Sequence, residues 1–241
     1  MGQDLKGQAV VITGGGSGIG RGLALALAGL GAKTVICGRR LERLEETLAD
    51  IKAAGGEGRL VQADISEIKE ARGVVQAALD AFGRIDILIN NAGIDGGDHL
   101  HEMAPETWDR VMKVNLRGPF LMTRFALPGM RAQRYGQIIN ISSESGIEYY
   151  HADAAYGLSK HALNAFGEYV QRENQDFNIR VNTICPGMVV TEMSENSAGL
   201  DPSKCLYPED IADLAVWLLT RRTNIKIGTP ILIQTMLNPW E

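Results

Sequence analysis

An α/β fold, a parallel sheet of about seven strands with helices on both of its faces, is what this sequence predicts. Three observations carry that expectation. Short β-branched apolar runs alternate with amphipathic stretches from end to end, the order that parallel sheets with crossover helices require. The first strand-like run leads through a glycine turn straight into a helix. No repeat, low-complexity tract or linker interrupts the alternation, and 241 residues, 45% of them hydrophobic, suit one domain over 1–241 with a substantial core.

Gln8–Thr13 (QAVVIT) reads as the first strand. Thr13–Gly20 (TGGGSGIG) is the glycine turn, and RGLALALAGLGA after it is amphipathic. Glycine admits unusual backbone angles and close approach of a ligand. A helix N-terminus adds free N–H groups and partial positive charge, which suit a pyrophosphate. The spacing is G-x-x-x-G-x-G on Gly14, Gly18 and Gly20, which differs from the G-x-G-x-x-G fingerprint. Lys33–Gly38 is the second strand, followed by an amphipathic helix over Leu41–Gly56 that ends in glycines. Arg59–Asp64 and Ile85–Asn90 are the third and fourth strands. Pro105 opens a helix running towards Asn115, since proline suits the first helical turn. Gln137–Ser143 is the fifth strand, Ala154 to about Gln175 a long helix, and Ile179–Cys185 the sixth strand. A helix over Pro208–Thr220 and a strand over Pro230–Gln234 complete the chain.

In such sheets ligands sit beyond the carboxyl ends of the strands, beside the switch between the sheet halves. Gly14–Gly20, Asn90–Gly93, Ser143–His151 and Pro186–Thr191 each follow a strand, so they are expected to meet on one rim.

Of six tyrosines, only Tyr156 has a lysine four residues later, Lys160, and Tyr156 lies thirteen residues after Ser143. Positions i and i+4 share a helix face. A phenol near an ammonium loses its proton more readily, and a serine hydroxyl beside them could hold a substrate oxygen. Alone, the pair also fits a surface helix with an incidental tyrosine and lysine.

TGGGSGIG, NNAG at Asn90–Gly93, Asn115, Ser143, Tyr156, Lys160 and Pro186–Gly187, in that order, resemble the short-chain dehydrogenase/reductase family in its single-domain branch. The resemblance runs from the first strand to about residue 220. It implies a Rossmann-like, doubly wound sheet in the order 3-2-1-4-5-6-7. It implies hydride transfer between nicotinamide C4 and a carbonyl or carbinol carbon, with Tyr156 giving or taking the proton. Ser143 would hold the substrate oxygen; Ser142 is its rival, disfavoured by the spacing to Tyr156. Lys160 would bind the nicotinamide ribose and lower the tyrosine pKa, and Asn115 would hold a water leading from Lys160 to solvent. Gly14, Ser17, Gly18, Ile19 and Gly20 would cradle the cofactor. Asp64 and Ile65 would lie beside the adenine, though Asp64 could instead cap a helix starting near Glu67. Asn91 and Gly93 would pack on the adenosine, unless Asn91 only braces the strands. Pro186, Gly187 and Thr191 would meet the nicotinamide end, Thr191 having a helix cap as its alternative. A homo-oligomer, in first place a tetramer, would pair through the helix after Asn115 and the helix bearing Tyr156.

NAD-preferring relatives carry aspartate at the end of the second strand, where it accepts hydrogen bonds from the adenosine ribose. This chain has Gly38 there, then Arg39 and Arg40. A guanidinium fork matches a phosphate, so NADP(H) is expected, with Arg39 as the principal clamp and Arg40 as its helper. The alternative is NAD, with both arginines simply solvating the next helix. Three segments should line the substrate site: Ile94–Met103, Glu144–Asp153 and Met188–Cys205. Ser143, Ser145, Tyr149, Tyr150, His151 and Met188 are its candidate contacts. Their polar, aromatic character suggests a polar or hydroxylated carbonyl compound, and the short third segment suggests an open site. The alternative is that these charges face solvent. Rival functions are an oxidative, NAD-using alcohol or sugar dehydrogenase and a non-catalytic NADP-binding regulator. The regulator predicts damage to Ser143, Tyr156 or Lys160, and all are intact.

A formal charge of −5, from 24 basic and 29 acidic residues, argues against a general nucleic-acid surface. The three cysteines lack metal-like spacing; Cys37 and Cys185, at strand ends, read as buried thiols, and a reducing cytoplasm fits. The first residues lack a signal pattern, Lys6 breaks the myristoylation pattern, and no apolar run reaches the ~18 residues of a membrane span. No metal is expected: His99 and His101 lack further donors at ligand spacing.

Overall fold

The computed structural model describes residues 3–195, 197–222 and 224–240. Seven strands, β1 (Ala9–Thr13), β2 (Lys33–Gly38), β3 (Glu57–Gln62), β4 (Ile87–Asn90), β5 (Gly136–Ile141), β6 (Ile179–Pro186) and β7 (Ile231–Ile233), form one sheet. Its order is β3-β2-β1-β4-β5-β6-β7, and every pairing is parallel. The Rossmann-like order implied by the resemblance is therefore observed. The switch between halves lies between β1 and β4, where Val10 pairs with Ile87.

Parallel strands covered on both faces are apolar throughout. Accordingly β1, AVVIT, is buried along its whole length. Successive side chains point to opposite faces. Val10 and Ile12 join one core with Leu23 and Leu27 of α1 (Gly18–Gly29), Leu44 and Ile51 of α2 (Leu41–Ala53) and Ile211 of α7 (Pro208–Leu219). Val11 joins the other, with Val74 of α3 (Ile68–Phe82), Met122 of α5 (Gly118–Ala132) and Val170 of α6 (Ala154–Asn174).

The sequence places some ends a residue or two away from where they lie. The third strand begins at Glu57, not Arg59, because it starts opposite Lys33 of β2; it stops at Gln62, which pairs with Gly38, the last residue of β2. Beyond that, Asp64 leaves the ladder and accepts from the Ser66 backbone and hydroxyl. The fourth strand begins at Ile87, since the Asp86 carboxylate accepts from the Ala9 amide at 2.9 Å. The helix opened by Pro105 is α4 (Pro105–Met112); it passes through one π turn, Lys113–Arg117, into α5. Asn115 sits buried in that turn. On α6 the Leu163, Phe166, Tyr169 stripe is graded: Leu163 is core, Phe166 half-buried and Tyr169 exposed.

Candidate active site

The rim is built from strand ends. After β1 the backbone turns at Gly14, with φ +67°, and Gly18, with φ +49°, where a side chain would be strained. A Cβ on Gly20 would fall 2.2 Å from the Gly14 carbonyl oxygen, so the turn closes only around glycine. Ser17 starts α1 without a side-chain cap, and no acidic residue follows in the first turn. The first amides of α1 are thus left for an anion. Thr13 ties this turn to the next: its hydroxyl accepts from the Asn91 and Ala92 amides at 2.9 and 3.0 Å. The Asn91 side chain donates back to the Thr13 and Gly14 carbonyls. Asn91 therefore braces the two strand ends, and it also lines the cleft.

That cleft encloses about 470 Å³ and runs from Gly38, Arg39, Arg40, Arg43 and Asp64 past Gly14–Gly18 to Lys160 and Tyr156. Ile19, Ile65, Gly93 and Thr191 also line it. A nicotinamide dinucleotide fits this frame: glycines where its backbone must approach, open helix amides at the turn, cations at one end and a phenol at the other. Asp64 is held below the usual carboxylate range, despite burial, by its Ser66 bonds and the charges of Arg39 and Lys113. Thr191 stands over the turn, its methyl carbon 3.1 Å from where a Gly18 Cβ would be. Its backbone amide donates to Ser194 Oγ at 3.0 Å. Pro186 ends β6, and the Gly187 amide donates to the Ile233 carbonyl.

The arginines are not equivalent. Arg40 donates to Ser17 Oγ at 3.0 Å and pairs with Glu192 at 2.7 Å; Arg43 pairs with the other Glu192 oxygen at 3.1 Å. Arg40's hydrogen bond, with the charges of Arg40 and Arg43, holds the Glu192 carboxyl below its ordinary value. Arg39 acts on Asp64 by charge and makes no ion pair among the described residues.

At the other end, Tyr156 lies on the first turn of α6 and Lys160 on the second. Lys160 is buried, and its Nζ donates to the Ile141 carbonyl at 3.0 Å. Burial disfavours the ammonium and lowers its pKa to about 8, against an opposite pull from Cys185. Tyr156 departs from the sequence reading. Burial pushes its phenol well above the ordinary value; the Ser143 hydroxyl favours the phenolate, while Asp153, Asp95 and Glu144 oppose it. The expected lowering by Lys160 is not found, because Nζ stands 5.3 Å from the ring centroid and is turned to Ile141. Ser143 Oγ accepts from the Ser145 amide at 3.2 Å, which orients it. Its rival Ser142 instead donates to the Lys160 carbonyl at 3.2 Å and is buried. The Asn115 side chain exchanges two bonds with the Ile94 backbone and donates to Ser159 Oγ. Ser159 in turn donates to the Tyr156 carbonyl at 2.6 Å. Asn115 thus connects the loop after β4 to α6.

On the substrate side, the Asp153 carboxyl is raised mainly by burial, against the pull of the Ser145 hydroxyl. Burial and the charges of Glu144 and Glu148 raise the Tyr150 phenol above its ordinary value. Tyr149 is 86% exposed and stacks on His161 at 5.0 Å, so it stands apart from the phenol. His151 is exposed. Met188 accepts from the Leu206 amide, and Val189 bridges to Leu206, closing the short segment after β6. The chain's last residues brace that segment: the Asp201 amide donates to the Pro239 carbonyl, and Thr235 to the Lys204 carbonyl. Gln234 reaches across to Glu144 at 2.6 Å. Sequence reasoning missed Thr13, Ser159, Arg43 and Glu192 as members of the site. Arg43 had a signal, three residues beyond the arginine pair, and Glu192 lies within the Met188–Cys205 segment expected to line the site. All three cysteines are free and buried. Among the described residues no three His, Cys, Asp or Glu side chains gather as a metal site, and no helix is long and apolar enough to cross a membrane.

The short chain dehydrogenase family model matches residues 8–199. An uncharacterized oxidoreductase of Thermotoga maritima is 38% identical over 205 residues, covering 84% of this chain and 81% of that one. The crystal structure of levodione reductase superposes with a TM-score of 0.90 at 30% identity, over 95% of this chain and 97% of that one. A metagenomic short-chain oxidoreductase solved in complex with NADP gives a TM-score of 0.85 at 34% identity, over 98% of this chain and 100% of that one. With its sheet order, glycine turn and tyrosine–lysine pair, this chain belongs to the short-chain dehydrogenase/reductase family of oxidoreductases.

Proposed function

We propose that the chain is an NADP(H)-dependent enzyme that interconverts a ketone or aldehyde with the corresponding alcohol. The observation that carries this reading is the single cleft joining the arginines after β2 to Tyr156 and Lys160. When bound, the nicotinamide supplies or takes the hydride. Ser143 holds the substrate oxygen beside the phenol, and Tyr156 delivers its proton. A positioned acid of this kind contributes roughly 10²–10⁴-fold. Its raised pKa keeps the phenol protonated at neutral pH, which suits reduction. Lys160 binds the nicotinamide ribose and Asn115 holds the loop facing it. Arg39, unpaired, is the principal 2′-phosphate ligand and Arg40 the second.

The acidic side chains Asp95, Glu144 and Asp153 lie near enough to raise the phenol. They favour a polar or hydroxylated carbonyl substrate over a bare hydrocarbon one. The exposed Phe120 on α5 and Tyr169 on α6 support a homo-oligomer, in first place a tetramer, paired through those helices.

A screen of ketones and alcohols with NADPH and NADP, following absorbance of the reduced cofactor, tests the function. Turnover of polar ketones with NADPH is expected. Cofactor binding with no turnover across the screen would favour the regulator instead.

A further inference from the structure

Glu192 belongs to the segment after β6, yet it sits on Arg40, just before α2, and Arg43, within it, 152 residues away from Arg40 in sequence. One carboxylate oxygen takes Arg40 at 2.7 Å and the other takes Arg43 at 3.1 Å. Arg40 also reaches Ser17 Oγ, so the three groups form a strap from α2 across the glycine turn to the loop carrying Thr191. All of them line the cleft in which the cofactor is placed. A carboxylate and a phosphate monoester ask for the same guanidinium fork. In this structure Arg40 gives one guanidinium nitrogen to both Ser17 and Glu192, and Arg43 gives one to Glu192 and the other to Glu46, while Arg39 makes no ion pair among the described residues.

Resting on the NADP reading above, we propose that Glu192 is an internal competitor for the cofactor's 2′-phosphate. It occupies Arg40 and Arg43 until the phosphate displaces it, and so sets both the affinity for NADP(H) and the discrimination against NAD(H). A dinucleotide with only ribose hydroxyls leaves the strap closed. A 2′-phosphate opens it, and because Thr191 is the next residue, the exchange moves the loop that stands over Gly18. The three side chains are 39–56% exposed, so water and salt screen the pairs. The competition is therefore modest, about three- to tenfold in affinity.

The test is calorimetric titration of wild type and Glu192→Gln with adenosine 2′,5′-bisphosphate and with adenosine 5′-monophosphate, which lacks the 2′-phosphate. Glu192→Gln keeps the shape and removes the competing charge. The expected result is a Kd about three- to tenfold lower for the bisphosphate and unchanged within about twofold for the monophosphate. An unchanged or weaker bisphosphate Kd overturns the proposal, as does an equal gain for both ligands, which would mean only a general rise in positive potential. Failure of the NADP reading looks different: the wild-type protein would then bind the bisphosphate no more tightly than the monophosphate.

Discussion

The Lys160 ammonium donates to the Ile141 carbonyl at 3.0 Å, so the end of β5 and the second turn of α6 are joined by a buried charge. That charge is costly to bury. The lysine pKa falls from 10.5 to about 8, and each unit is ~1.4 kcal/mol of preference for the neutral form. Between pH 8 and 10.5 the unfolded lysine keeps a proton that the folded one has released, so wild-type stability gains from rising pH in that window. Lys160→Met removes the cost at lower pH and loses one hydrogen bond, worth ~1 kcal/mol. Urea melts of the unliganded proteins should show the variant ~1–2 kcal/mol more stable at pH 7, with the gap closing by pH 10. A variant less stable at pH 7 would mean the ammonium is well solvated.

Cofactor preference should follow the end of β2. A Cβ on Gly38 meets only Leu44, at 3.7 Å, so a side chain fits there. Gly38→Asp with Arg39→Ile adds a ribose acceptor that repels phosphate and removes a cation. A charge-assisted bond is worth ~1.5–3 kcal/mol, so the NADPH to NADH ratio of kcat/KM should fall by about 10–100-fold. An unchanged ratio in a folded variant would put the phosphate site elsewhere.

Much of this was legible in the chain. The β1 run is apolar because both its faces are covered, which is also what makes it readable. Tyr156 and Lys160 announce themselves by helical spacing, and their helix ends within a residue of the expected place. What was not legible is what depends on contacts between distant segments. Nothing near Glu192 reveals that it meets Arg40, because only the folded sheet brings the loop after β6 over the glycine turn. The tyrosine pKa was misjudged for the same reason. Local spacing shows the lysine, while burial and the acids at 95, 144 and 153 enter only with the fold. The third strand was read two residues late because its start is set by its partner, Lys33 of β2, and not by its own residues.

The glycines of α1 should divide sharply. Gly20→Ala places a methyl 2.2 Å from the Gly14 carbonyl oxygen, whereas the same change at Gly29 meets nothing within 4 Å. Overpacking of this kind costs ~1–3 kcal/mol, and alanine at an open helical position gains ~0.5–1 kcal/mol. Thermal melts should therefore move in opposite directions, and NADPH binding should be lost only for Gly20→Ala. Equal tolerance at both sites would mean the turn can open without penalty.

Tyr156 is the proton carrier on which the proposed reaction depends. The decisive measurement is Tyr156→Phe, assayed by ketone-dependent loss of NADPH absorbance and, separately, by fluorescence titration with NADPH. The half-buried ring keeps its place on the cleft wall and only the phenolic hydroxyl goes. Turnover should fall at least ~100-fold while the NADPH Kd stays within about threefold of wild type. A variant that keeps more than about a tenth of wild-type turnover, with cofactor binding intact, would contradict the assignment.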